Sequence, residues 1–201
     1  MPPEPRRRNT APPREELLAA AMATIAERGL DGLTMAGLGR EVRMSSGHLL
    51  YYFRTKDELL LQTLEWSEER LGARRRALLS GPGTAREQLD GYIGLYLPDG
   101  PGDPHWTLWL EVWNRSRNAD DDARARQAAI EEAWQRDLVE LLARGTAAGE
   151  FRPVDAGRFA ARLRALLDGF SVHVAVGLPG TGRDQVLDRV GEFVEESLLA
   201  R

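Results

Sequence analysis

Residues 34–60 read TMAGLGREVRMSSGHLLYYFRTKDELL, and the rest of the chain is read from this stretch outward. Thr34 stands where a helix N-cap wants a side-chain oxygen, and Met35 and Leu38 form the inward face of a helix reaching about residue 42. Ser45 caps a second short helix that runs to about residue 53. Leu49 and Phe53 lie four apart and face the core, so His48, Tyr51 and Tyr52 project elsewhere. Thr55-Lys56-Asp57-Glu58 reads as a capping box, in which the threonine oxygen and the glutamate satisfy free backbone donors reciprocally. Two short helices joined by a tight turn, followed by a capped long helix, are the parts of a helix-turn-helix DNA reader.

The residue types suit that chemistry. A major groove about 12 Å wide accepts one helix, held against the backbone by a supporting helix. Ser45 and Ser46 offer hydroxyls and free N–H groups to a phosphate, and Gly47 allows close approach where a side chain would collide. Tyr51 and Tyr52 can donate to phosphates, while His48 can reach a base edge or a thymine methyl. Lys56 is the only lysine among 27 basic residues. It places a cation beside the positive end of its own helix, a mildly unfavourable position that a phosphate would relieve. By pattern alone, two tyrosines and a phenylalanine also suit the core of a small helix bundle.

Composition narrows the classes. A chain of 201 residues without cysteine can bury a sizeable core but holds no disulfide framework, thiolate nucleophile or sulfur-ligated zinc. His48, His105 and His173 are too far apart for a short helical metal motif, so no metal and no cofactor are expected. No apolar run approaches the roughly 18 residues of a membrane span, and a soluble cytoplasmic protein is the expectation. Residues 1–56 carry nine Lys and Arg against six Asp and Glu, while the whole chain has a net charge of −4. A basic head on an acidic body suits a partner that is a polyanion. No Ser/His/Asp spacing or nucleotide-binding glycine loop is present, and Gly145 to Gly149 reads as a helix end, so no enzyme is expected.

The Pro-rich start around Arg6-Arg7-Arg8 reads as a flexible basic arm over residues 1–13. Leu18, Ala21, Met22 and Ile25 mark the stripe of a first helix, which Gly29 closes. Beyond the reading segment the capped helix runs through Leu60, Leu64 and Leu71 to the break at residues 80–83. Helices follow over about residues 84–97, 105–118, 121–148, 155–176 and 183–200. The fold class is therefore all-α, with about nine helices. A helix-turn-helix DNA-binding domain is expected at 14–58 and a ligand-binding and dimerisation domain at 59–201.

Two faces in the second part carry candidate sites. Trp106, Trp109 and Trp113 recur on one helix face, with Tyr92 and Tyr96 on the preceding helix and Trp134 on the following one. Together with Trp66 and Phe170 they form the candidate ligand-binding set. Such aromatic density can cage a cation, with Glu111 or Asp168 as counter-charge, and it equally suits a packed core. On the last two helices, Phe159, Leu163, Leu166, Phe170, Val190, Phe193 and Val194 form broad apolar faces. These are the candidate dimerisation residues for a four-helix interface with a second copy, and intramolecular packing is the open alternative.

Residues 14–61 resemble the N-terminal domain of the TetR family of bacterial transcriptional regulators. The resemblance rests on Thr34 opening the second helix, on Ser45, Gly47, Leu49, Tyr52 and Phe53 of the recognition helix, and on Thr55, Lys56, Asp57 and Leu59. Three positions depart from the usual pattern. Leu38-Gly39 replaces Ile-Ala, Val42-Arg43-Met44 replaces Ala-Gly-Val, and Leu50 stands where relatives often have a phosphate-touching tyrosine. Arg43 thereby becomes a candidate backbone contact beside Tyr51 and Tyr52. The resemblance implies a homodimer that binds a palindromic, double-stranded DNA operator and leaves it when a small-molecule effector enters the C-terminal domain. A transcriptional activator of this fold, or a helical dimeric interaction protein without DNA binding, is the alternative. The tryptophan spacing followed by Leu141-Leu142-x-x-Gly145-x-x-x-Gly149-x-Phe151 is similar to the betaine-regulator branch, which implies a cationic or amine-like effector.

Overall fold

A computed structural model describes residues 14–199, and the expected arm at 1–13 lies outside the described residues. After α1 (Arg14–Gly32), the next three helices begin on the caps that the sequence supplies: α2 (Met35–Glu41), α3 (Ser46–Tyr52) and α4 (Lys56–Ser80). Thr34 accepts from the Gly37 amide at 2.9 Å, Ser45 from His48 at 3.2 Å and Thr55 from Glu58 at 3.0 Å. The expected box at residues 55–58 is only half made. Glu58 turns its carboxylate to Gln62 and to Arg126 of a later helix instead of back to its cap. The box at Thr84 and Glu87 is made in both directions.

The chain continues as α5 (Ala85–Tyr96), α6 (Pro104–Arg115), a single 3-10 turn over Ser116–Asn118, α7 (Asp121–Ala147), α8 (Ala156–Ala175) and α9 (Arg183–Leu198). The described residues are all-α with nine α-helices. Helix α1 packs on α4 and α6, α4 on α5, α6 and α7, and α8 on α7 and α9. One continuous core runs from Leu18, Ile25, Leu49 and Phe53 through Leu60 and Leu64 to Leu89, Leu138, Leu163 and Val190. The expected boundary at residue 58 therefore falls inside the first turn of α4, a helix that serves both parts. No helix among the described residues is long and apolar enough to cross a membrane.

The end of α7 explains the glycine spacing. Gly149 has φ +75°, and the Glu150 and Gly149 amides donate back to the Gly145 and Thr146 carbonyls at 3.0 and 3.1 Å. This reversed turn swings Phe151 over the helix it has just left. A Cβ on Gly145 would stand 2.2 Å from the Phe151 ring, so the motif shapes the fold and touches no candidate site.

The faces of α8 and α9 correct one expectation. Phe159, Leu163, Val190 and Val194 are buried within a single protomer, because the broad stripe packs α8 and α9 on the body. Leu166, Phe170 and Phe193 are only half-buried, beside exposed Ala161, Ala165 and Gly169. Of the seven candidate dimerisation residues, these three alone retain surface for a second copy.

Replacing Gly145 with Ala is expected to destabilise the fold by about 1–3 kcal/mol through overpacking against Phe151. Urea unfolding checks this, and a change below about 0.5 kcal/mol would contradict the packing described.

Candidate DNA-reading face and effector cavity

Helix α3 is seated by Leu49 and Phe53, which are 0% and 1% exposed. The rest of it is open: Tyr51 is 82% and Tyr52 50% exposed, and Ser45, Ser46, Gly47 and His48 are exposed as well. His48 stacks on Tyr52 with ring centroids 5.3 Å apart, and Tyr51 meets Tyr52 edge-on at 5.7 Å. These aromatic contacts preorganise the outer face without burying it. A Cβ on Gly47 would meet nothing within 4 Å, so nothing among the described residues requires glycine there.

The altered turn before α3 is a matched pair of changes. Arg43 has φ +57°, a left-handed conformation that costs a non-glycine residue about 1 kcal/mol or more. The Met44 amide closes on the Gly39 carbonyl at 2.7 Å, and a Cβ on Gly39 would lie 2.5 Å from the Met44 carbonyl oxygen. Glycine at 39 thus gives the turn the room it uses. The Arg43 side chain is exposed beside α3. Lys56 is half-buried, with its ammonium 3.5 Å from the Leu30 carbonyl, at the junction of α1 and α4. Thr34 is exposed while capping α2.

The aromatic set divides. Tyr96, Trp106, Trp109, Trp113 and Trp134 line one cavity of about 60 Å³, together with Glu68, His105, Glu131, Arg164 and Asp168. This exceeds the roughly 10–15 Å³ that one water needs. Trp106 and Trp113 meet edge-on at 5.8 Å, and Tyr96 and Trp134 do so at 4.9 Å. Three expected members lie elsewhere. Tyr92 is fully buried and donates to the Trp134 carbonyl at 2.9 Å, so it supports a cavity wall from behind. Trp66 lines a separate surface groove under Arg70, and Phe170 sits against His173.

The centre of the cavity wall is Glu68, which the sequence reading did not single out. Its carboxylate accepts from the Trp109 and Trp134 indoles at 2.8 and 2.9 Å and lies 3.1 Å from His105 Nε2. The Ser67 hydroxyl holds the other imidazole nitrogen at 2.8 Å. Burial pushes the Glu68 carboxyl up, but the bonds and charge of His105, with both indoles, outweigh it and hold the group below its usual value. An ionised carboxylate is thereby fixed beside the aromatic walls. Asp168 behaves oppositely: burial raises it, and the Tyr96 hydroxyl and nearby Arg164 offset only part of the rise. Aromatic faces around fixed negative charge favour a small organic cation.

Glu111, the other expected counter-charge, faces away. It accepts from the Leu30 amide at 2.9 Å and pairs with Arg115. Arg115 also reaches Asp31 at 3.3 Å and Asp57 at 3.1 Å. One face of α6 thus supplies three indoles to the cavity, while its other side grips the end of α1 and the start of α4.

Gly47→Ala is expected to leave stability unchanged or raise it by up to about 1 kcal/mol, while weakening binding to duplex DNA. Thermal melting and fluorescence anisotropy read the two effects. Equal DNA affinity in the variant would remove Gly47 from the reading face.

Comparison with known proteins fits this geometry. Residues 17–63 match the model for bacterial regulatory proteins of the tetR family, and residues 85–199 match the model for the BetI-type transcriptional repressor C-terminal domain. The transcriptional regulator BetI of Pectobacterium carotovorum is 24% identical over 189 residues, covering 92% of this chain and 93% of its own. BetI 1 of Chromohalobacter salexigens is 28% identical, covering 92% and 90%. A Saccharomonospora viridis transcriptional regulator solved in complex with choline has a TM-score of 0.85 and 28% identity, covering 94% of this chain and 98% of its own. The chain belongs to the tetR family of bacterial transcriptional regulators, with a C-terminal domain of the BetI type.

Proposed function

We propose that the protein is a homodimeric repressor that holds a palindromic operator through α3 and releases it when a small quaternary ammonium compound fills the cavity. The observation that carries this reading is α6, which lines the cavity with Trp106, Trp109 and Trp113 and grips the reading domain with Glu111 and Arg115. The choline bound by the Saccharomonospora viridis relative supports the ligand class. Ser45, Ser46, Tyr51, Tyr52, Arg43, Thr34 and Lys56 are assigned to the phosphates, and His48 to a base edge.

The mechanism follows from shared contacts. A cation between the indoles and Glu68 shifts Trp109 or Trp113, and therefore α6. The Leu30, Asp31 and Asp57 contacts move with it, and the two α3 helices of a dimer leave the spacing of about 34 Å that successive major grooves require. Ligand and operator then select different arrangements, so each weakens the other by the same factor. The dimer itself is assigned to the outer face of α8 and α9, where Leu166, Phe170 and Phe193 flank the small residues Ala165 and Gly169.

Titration of the protein with its own upstream DNA, with and without choline, tests the reading. Choline is expected to weaken operator binding by roughly 5- to 150-fold, and operator to weaken choline binding by the same factor. Equal affinity for upstream and random duplex, or indifference to choline, would overturn it. Lys56→Ala is expected to weaken binding to all sequences alike and reduce the salt slope by about one phosphate contact. A change of base preference in that variant would contradict the assignment to backbone.

A further inference from the structure

The wall formed by α8 adds a cation to a cavity otherwise built for cations. Arg164 lines it alongside Asp168 and Tyr96. Its Nη1 donates to the Glu131 backbone carbonyl at 3.0 Å. Its Nε is shielded from solvent and has no acceptor among the described residues, where Arg164 also forms no ion pair. Arg75 and Arg86 likewise leave one sheltered N–H unmet, but each holds a carboxylate, Asp137 at 2.6 Å and Asp90 at 3.1 Å, whereas Arg164 has none within ion-pair distance among the described residues. Of the carboxylates that line the cavity, Asp168 lies close enough to Arg164 for the two charges to interact, and each of them already accepts from another donor, Glu131 from Gln127. Glu68 is occupied by two indoles and His105, and Asp168 accepts the Tyr96 hydroxyl. A sheltered guanidinium with an unused N–H is costly unless an acceptor completes it.

Resting on the proposed quaternary ammonium site, we infer that Arg164 makes this cavity select a zwitterion: the ammonium head packs among the indoles near Glu68, and a carboxylate at the other end of the ligand takes the Arg164 Nε–H. A quaternary ammonium alcohol such as choline fills the aromatic part but leaves the guanidinium with a weaker, uncharged acceptor. Charge-assisted bonds from a guanidinium to a carboxylate are shorter and about twice as strong as neutral ones. The preference is therefore set by the tail of the ligand and not by its head.

Calorimetric titration of the full-length protein with three probes tests this. The probes are trimethylglycine, choline, and the neutral alcohol in which carbon replaces the choline nitrogen. Trimethylglycine is expected to bind about 10-fold or more tightly than choline, and the neutral alcohol least tightly. In Arg164→Gln the trimethylglycine affinity is expected to fall by about 10-fold or more while that for choline changes by less than about 3-fold. Arg164→Lys, which retains a cation without the fork geometry, is expected to lie between, and thermal melting of both variants confirms that they are folded. Choline binding as tightly as trimethylglycine, or both ligands losing equally in Arg164→Gln, would overturn the inference while leaving the cation site standing. Failure of both cations to bind more tightly than the neutral alcohol would overturn the cation site and the inference together.

Discussion

The hydrogen bond from the Leu30 amide to the Glu111 carboxylate, at 2.9 Å, joins the two halves of this molecule. It exists because Gly29 leaves helical geometry at φ +69° and ψ 170°. A backbone donor at such a break needs an acceptor when it is withdrawn from water. Placing that acceptor on α6 fixes the end of α1 to the helix that carries the cavity tryptophans. Arg115 extends the grip to Asp31 and Asp57. Partly exposed ion pairs of this kind add little stability, and their importance here is geometric.

The second constraint is the charge at Glu68. A carboxylate that is 7% exposed is costly to bury without partners. Here the indoles of Trp109 and Trp134, one from α6 and one from α7, supply two of them. The bonds that satisfy the charge also set the angles of two cavity walls. Arg75 stacks 3.9 Å from the centroid of Trp134, so that ring is held at its N–H edge by Glu68 and over one face by the guanidinium. The cavity is a consequence of polar satisfaction as much as of apolar packing.

Most of the fold and the exposure of the outer face of α3 were legible because their signals are local. Thr34, Ser45 and Thr55 cap their helices within three residues of themselves, and burial of Leu49 and Phe53 follows from spacing. The cavity was legible only in part. Trp106, Trp109 and Trp113 share a helix face that periodicity reveals, but Glu68, Glu131, Arg164 and Asp168 come from α4, α7 and α8 and converge only through packing. One signal was present: Glu68 follows Leu60 and Leu64 at intervals of four, a charge on an apolar stripe. Glu111 was misplaced for a related reason, since an acidic residue between tryptophans in sequence lies on another side of the helix. For Phe159, Leu163, Val190 and Val194, an apolar stripe states that a face is buried, without stating whether by the same chain or by another.

Site-resolved amide hydrogen exchange at Leu30, followed as choline is added to the protein, reads the link between cavity and reading domain most directly. If α6 transmits occupancy through Glu111, saturating choline raises exchange at this amide by about tenfold or more, over the same concentrations that release operator DNA. Protection at Leu30 that stays constant while choline releases the operator would contradict this, and would show that the signal travels by another route.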